Sequence, residues 1–102
     1  MGQTFGVMIE VQTFRLAAGT DLDSFLAADR RVQEEVVNNE RGFVRRTTAR
    51  DGDGEWVVTV LWDSEADADA APTRGAGHPA TAAFARCIDS SSLRIHRYES
   101  LD

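Results

Sequence analysis

The stretch from Glu55 to Ser64, EWVVTVLWDS, limits what this chain can fold into more than any other. It is the longest apolar run and it carries both tryptophans. Trp56, Val58, Val60 and Trp62 take one alternating face, and Val57, Thr59 and Leu61 take the other. A strand apolar on both faces is covered on both sides. It therefore belongs in the middle of a sheet, with helices over one face and something else over the other. Asp51-Gly-Asp-Gly54 before it is a hairpin turn signal. Ser64-Glu-Ala-Asp67 after it reads as a serine N-cap with an acid at the third helical position.

The flanking segments build the rest of that sheet. Residues 5–16 alternate as a first strand: Phe5, Val7, Ile9 and Val11 on one face, Met8, Glu10, Gln12 and Phe14 on the other. The first face is purely apolar and is expected under the helices. The second is mixed and is expected on the open side. A helix follows from about Asp21 to Val37, with Leu22, Phe25, Leu26, Val32 and Val36 as its inward stripe. Asp29 falls in the middle of that stripe, so it needs a partner, with Arg46 or Arg45 in reach; a functional acid is the alternative. Phe43 to Arg50 is the second strand. A short helix from Glu65 to Ala71 is expected to stop at Pro72. His78-Pro79 opens a third helix whose inward side is Phe84, Cys87 and Ile88. Leu93 to Glu99 is the fourth strand, with Leu93 and Ile95 on one face and Arg94, His96 and Tyr98 on the other.

The order β-α-β-β-α-β is the ferredoxin-like arrangement, an α+β fold with antiparallel strand order 4-1-3-2. The 102 residues form a single domain, 1–102. With helices on one side only, the other sheet face is left apolar, and such a patch marks an interface. A second copy packed over it with two-fold symmetry closes a barrel, so a homodimer is expected.

Charge narrows the partners. The net charge is −6, and all eleven basic residues are arginine. An acidic protein lacks the phosphate contacts that dominate nucleic-acid affinity, so nucleic acid and anionic membranes are disfavoured. No apolar run reaches the ~20 residues of a membrane span. The first residues lack a basic region followed by an apolar one, so the expected compartment is the cytoplasm. One cysteine, Cys87, leaves no internal disulfide and reads as a small buried apolar residue. The two histidines and scattered carboxylates form no metal-ligand spacing. A neutral or hydrophobic small molecule, or another protein subunit, is easier for such a chain to accommodate.

Element order, Gly42-Phe43 before the second strand and Trp62-Asp-Ser64 ending the third resemble the antibiotic-biosynthesis monooxygenase family of small dimeric α+β barrels. The resemblance spans nearly the whole chain. It implies a ligand cavity and, from some members, cofactor-independent oxygenation of aromatic substrates. Haem-degrading members use an asparagine on strand one, a tryptophan on strand three and a histidine on the next helix. Gln12 and Trp62 fall at the first two positions, but Pro72 falls at the third. That departure argues against haem, and no cofactor is expected.

Within this frame His96 is the candidate catalytic base, since an imidazole near a carboxylate can deprotonate a phenol or carbon acid. A structural histidine in the dimer interface is the alternative. The candidate ligand-binding residues are Glu10, Gln12, Trp62, Tyr98 and Arg46, with Trp62 as stacking wall and Gln12 and Tyr98 as hydrogen-bond partners. His96, Tyr98, Glu10, Gln12 and Trp62 are expected together on the open face. The reading is a small-molecule-binding dimeric barrel, a cofactor-independent monooxygenase or tailoring enzyme. The rival reading is a non-enzymatic ligand-binding or accessory barrel. An open cavity lined by His96 and Trp62 favours the enzyme, and a filled barrel favours the rival.

Overall fold

The computed structural model describes residues 7–101, apart from the side chains of 73 and 74. In chain order it contains β1 (Met8–Phe14), α1 (Leu22–Arg31), β2 (Phe43–Arg50), β3 (Trp56–Trp62), α2 (Glu65–Gly75), α3 (Pro79–Arg86) and β4 (Arg94–Glu99). The strands form one antiparallel sheet in the order β2-β3-β1-β4, as the pattern predicts. β3 is central. Trp56, Val58, Val60 and Trp62 are buried beneath the helices, and the alternate residues are half-buried.

The face of β1 is the opposite of the expected one. Met8, Glu10, Gln12 and Phe14 stand opposite Trp62, Val60, Val58 and Trp56 and share their helix-covered face. Ile9 and Val11 turn to the open side, beside Leu61 and Thr59 on β3 and Tyr98 and His96 on β4. Phe5 lies outside the described residues. Alternation alone does not say which side of β1 the helices cover, because both sheet faces are apolar. Phe14 decides it: the ring is fully buried and meets Phe25 at 6.0 Å and Phe84 at 5.9 Å, edge to face. Glu10 is tolerated on the same face because Arg97 stands opposite it in the β1–β4 register.

Helix one is capped by Asp21, whose carboxylate accepts from the Ser24 N–H at 3.0 Å. It does not run evenly to Val37. After Arg31 it widens into a π turn over Val32–Val36 and then tightens into a 3₁₀ turn over Val37–Asn39. Leu22 and Leu26, expected inside, are each 39% exposed, while Phe25 and Val32 carry the inward stripe.

Helix two also departs from expectation, because it continues through Pro72 to Gly75. Proline removes the N–H that would bond the carbonyl four residues back, here Ala68. Arg97 Nη2 donates to that oxygen instead, at 3.3 Å. The helix starts as the sequence predicts. Ser64 Oγ accepts from the Asp67 N–H at 3.1 Å and donates to Asp67 Oδ2 at 2.9 Å. Gly42 is fixed by the same cap: its φ is +78°, and a side chain there would overlap the Asp67 carboxylate. β4 begins at Arg94 rather than Leu93, after a short turn over Ser90–Ser92.

Candidate functional site

The space between helices and sheet is filled unevenly. At the Trp56 end, Phe14, Phe25, Trp56 and Phe84 pack ring against ring, with Phe25 and Trp56 centroids 4.8 Å apart. At the Trp62 end, α2 presents only Ala68, Ala71, Pro72 and Gly75. These residues are too small to reach Val58 and Val60, and a cavity of about 280 Å³ remains. Val32, Val36 and Val37 form another wall. The π turn inserts the extra residue there, a distortion that recurs at functional sites.

Three of the polar groups on this apolar frame are Glu10, Arg46 and Trp62. On one side, the Glu10 carboxylate is buried; its oxygens accept from Arg97 Nε and Gln12 Nε2, each at 3.3 Å. Arg97 also bridges to Asp69. The hydrogen bond that Arg97 donates to Asp69, together with the charge of Glu10, raises the Arg97 pKa above its ordinary value, against the pull of burial. On the other side, Arg46 Nη2 donates to Asp29 Oδ1 at 2.8 Å, and Thr48 Oγ1 donates to the same oxygen at 3.0 Å. The Arg46 guanidinium also lies 5.6 Å from the centre of the Phe84 ring. Thus Asp29 has the arginine partner that its place in the stripe requires. The third group is Trp62, 4% exposed, with its ring edge-to-face on Phe43 at 6.0 Å. Among the described residues, Trp62 Nε1 and Thr81 Oγ1 are the buried side-chain polar atoms that lack a hydrogen-bond partner, and both residues line the cavity.

The structure gathers four of the six candidate residues. Glu10, Gln12, Trp62 and Arg46 all line the cavity. His96 and Tyr98 do not. His96 stands opposite Val11 and Tyr98 opposite Ile9, on the open face, and both are exposed. The expected constellation is therefore divided by the sheet, as a direct consequence of the reversed β1 face. Trp56 belongs to the packed end of the core. His78 caps α3: its Nδ1 accepts from the Ala80 N–H at 3.0 Å, and its Nε2 lies 3.9 Å from Glu35. It is not on the cavity wall, where Pro72 stands instead. These residues do not fit a histidine-ligated haem. Among the described residues no cluster of His, Cys, Asp and Glu is arranged to hold a metal ion.

Sequence reasoning passed over Arg97 and Thr81. Arg97 was legible, since it alternates with Leu93 and Ile95 and so shares the helix-covered face of β4. Thr81 had no signal, because its place depends on how α3 follows the bend at Gly75–Gly77.

With this geometry in hand, the chain can be set beside known proteins. No family model matches it and no curated protein is similar to it. Solved structures do match. SnoaB, a cofactor-independent oxygenase from Streptomyces nogalater, aligns with a TM-score of 0.75 at 17% identity over 91% of each chain. A candidate antibiotic biosynthesis monooxygenase from Nitrosomonas europaea aligns with a TM-score of 0.78 at 14% identity, over 99% of this chain and 96% of its own. The fold is that of the antibiotic biosynthesis monooxygenases. A further protein from Nitrosomonas europaea, NE2512, of unknown function, aligns with a TM-score of 0.68 at 22% identity, over 98% of this chain and 94% of its own. No helix among the described residues is long and apolar enough to cross a membrane.

Proposed function

We propose that this protein is a homodimeric small-molecule-binding barrel that acts as a cofactor-independent monooxygenase or related tailoring enzyme on a hydrophobic aromatic substrate. The observation that carries this reading is the buried Trp62 N–H with no partner, on the wall of an apolar cavity. A buried donor left unmade costs about 1–3 kcal/mol, which a ligand oxygen would recover. The fold shared with SnoaB supports the reaction class. In that chemistry an electron-rich substrate anion itself reduces oxygen, and the protein binds, orients and shields it from water. Trp62 would supply a stacking wall and a donor, and Gln12, which donates to Glu10, would help hold that carboxylate in place.

His96 is not assigned the role of base in this cavity, because it occupies the other face of the sheet. Its place suits a polar contact across the proposed dimer interface. The same absence favours the second reading, a ligand-binding barrel without catalysis: Glu10, a carboxylate on the cavity wall, is already engaged by Arg97 and Gln12. Oxygen uptake decides between them. A panel of quinols and naphthols would be screened at an oxygen electrode against the wild type and Trp62→Phe. Uptake with at least one substrate, reduced in the variant, supports the enzyme. Tight binding of the panel without uptake leaves the non-catalytic barrel.

A further inference from the structure

The cavity has an imbalance that the proposed binding role does not explain. Its unsatisfied groups can all donate: Trp62 Nε1, the Thr81 hydroxyl, which can also accept, and two of the Arg46 nitrogens. Trp62 Nε1 has no acceptor. Arg46, with 4% of its side chain exposed, spends only Nη2, on Asp29. Its Nε and Nη1 find no acceptor among the described residues, and the side chain lines both this cavity and a polar groove outside it bounded by Asp29 and Thr48. The carboxylates on the wall are occupied. Glu10 receives Arg97 and Gln12, and Glu40 is itself engaged.

The placement of these groups gives the cavity a direction. Arg46, Val60 and Glu10 stand side by side on β2, β3 and β1. Arg46 and Glu10 are thus two strand spacings apart, about 10 Å across the floor. Trp62 is two residues beyond Val60 on the same face, about 7 Å along the strand. The cationic edge is therefore Arg46 on β2, the carboxylate edge is Glu10 on β1, and the Trp62 donor lies between them on β3. A dry cavity of about 150 Å³ holds one benzene ring, so 280 Å³ corresponds to about two rings.

We infer that the cavity selects a compact carboxylate: an apolar body of one or two rings bearing a carboxylate, seated against the spare Arg46 N–H groups, with Trp62 Nε1 donating to one of the ligand's oxygens. This rests on the proposed function in taking the cavity as the ligand site, and it adds the charge, size and orientation of the ligand. Asp29 would then tune the site. It holds Arg46 in place from behind and cancels part of its charge.

The test is calorimetric titration at pH 7.5 with 2-naphthoate and 2-naphthol, which share a ring system but present an anion and a neutral hydroxyl. The naphthoate is expected to bind at one per chain and at least about tenfold more tightly than the naphthol, the scale of a hydrogen bond to a charged group. Asp29→Asn keeps an acceptor for Arg46 and removes the competing charge, so it should tighten naphthoate several-fold and leave naphthol unchanged. Trp62→Phe should weaken naphthoate while leaving the preference for the anion. Equal affinities for the two probes, or an Asp29→Asn protein with unchanged naphthoate affinity, would overturn the carboxylate inference and leave the cavity as a ligand site. Failure of both probes to bind would overturn both. Naphthoate binding without oxygen uptake on any substrate would remove only the oxygenase.

Discussion

Arg97 donates to the carbonyl oxygen of Ala68, at 3.3 Å, where Pro72 has removed the helical donor. The same guanidinium holds Glu10 at 3.3 Å and pairs with Asp69. One side chain on an edge strand thus repairs a proline-interrupted helix, neutralises a buried carboxylate and ties α2 to the sheet. α2 offers the core little else, since Ala68 and Ala71 are its apolar contacts there.

Arg97→Ala should therefore cost about 2–3 kcal/mol. This is below the 3–5 kcal/mol of a fully buried broken pair, because 28% of the Arg97 side chain remains in water. Urea denaturation measures it. Pro72→Ala should return an N–H to Ala68 and relieve part of the loss, so the two substitutions should not be additive. Strict additivity would mean that the contact between Arg97 and Ala68 contributes nothing.

The pair of Asp29 and Arg46 is more deeply enclosed, with 15% and 4% of their side chains exposed. Asp29→Ala leaves a buried guanidinium without its counter-charge and Thr48 without its acceptor. The expected loss is about 3 kcal/mol. An unchanged denaturation midpoint would show that the pair is solvated in solution.

How much of this was legible in the sequence follows from where the information lies. β3 could be placed because its own residues are apolar on both faces. Asp29 could be paired because helical spacing put it in an apolar stripe with arginines on the next strand. The face of β1 could not, because its more apolar side is matched by an apolar open face, and the decision rests on the contacts of Phe14 with α1 and α3. That single reversal moved Glu10 and Gln12 away from His96 and Tyr98. Pro72 misled for a related reason: its effect on a helix depends on whether a distant donor is present, and Arg97 lies 25 residues later in the chain (97 − 72). The cavity itself is a property of side chains that fail to meet, which no local pattern records.

The turn before β3 titrates. Asp51 Oδ1 accepts from the backbone N–H of Glu55 at 2.9 Å and of Asp53 at 2.8 Å. These bonds, that from Glu55 first, hold the carboxyl below its ordinary pKa. A depressed folded pKa means stability that is present above the unfolded value, near 3.9, and lost as pH falls through the folded one. Wild type should thus exceed Asp51→Asn in stability at pH 6, with the gap closing below about pH 4. A gap that stays constant from pH 6 to pH 3 would show that the carboxylate is not the source.

The reversed face of β1 also bears on assembly. Ile9 and Val11, the branched aliphatic residues of that strand, point away from the helices, together with Val57, Leu61 and Tyr98 on the neighbouring strands. The described residues leave Tyr98 55% exposed. A largely apolar sheet face of this kind suits an interface, and in the proposed homodimer a second copy would cover it with two-fold symmetry. Each strand residue on that face would then sit in a sheet-on-sheet core, about 10 Å thick. Wild type should run in light scattering as a species of twice 11.2 kDa at micromolar concentration. Val11→Glu sits at the centre of that face and points away from the cavity, so it should give a folded monomer with native far-ultraviolet circular dichroism. A wild-type protein that stays monomeric up to high micromolar concentration would leave this apolar face solvated and remove the homodimer from the proposed function.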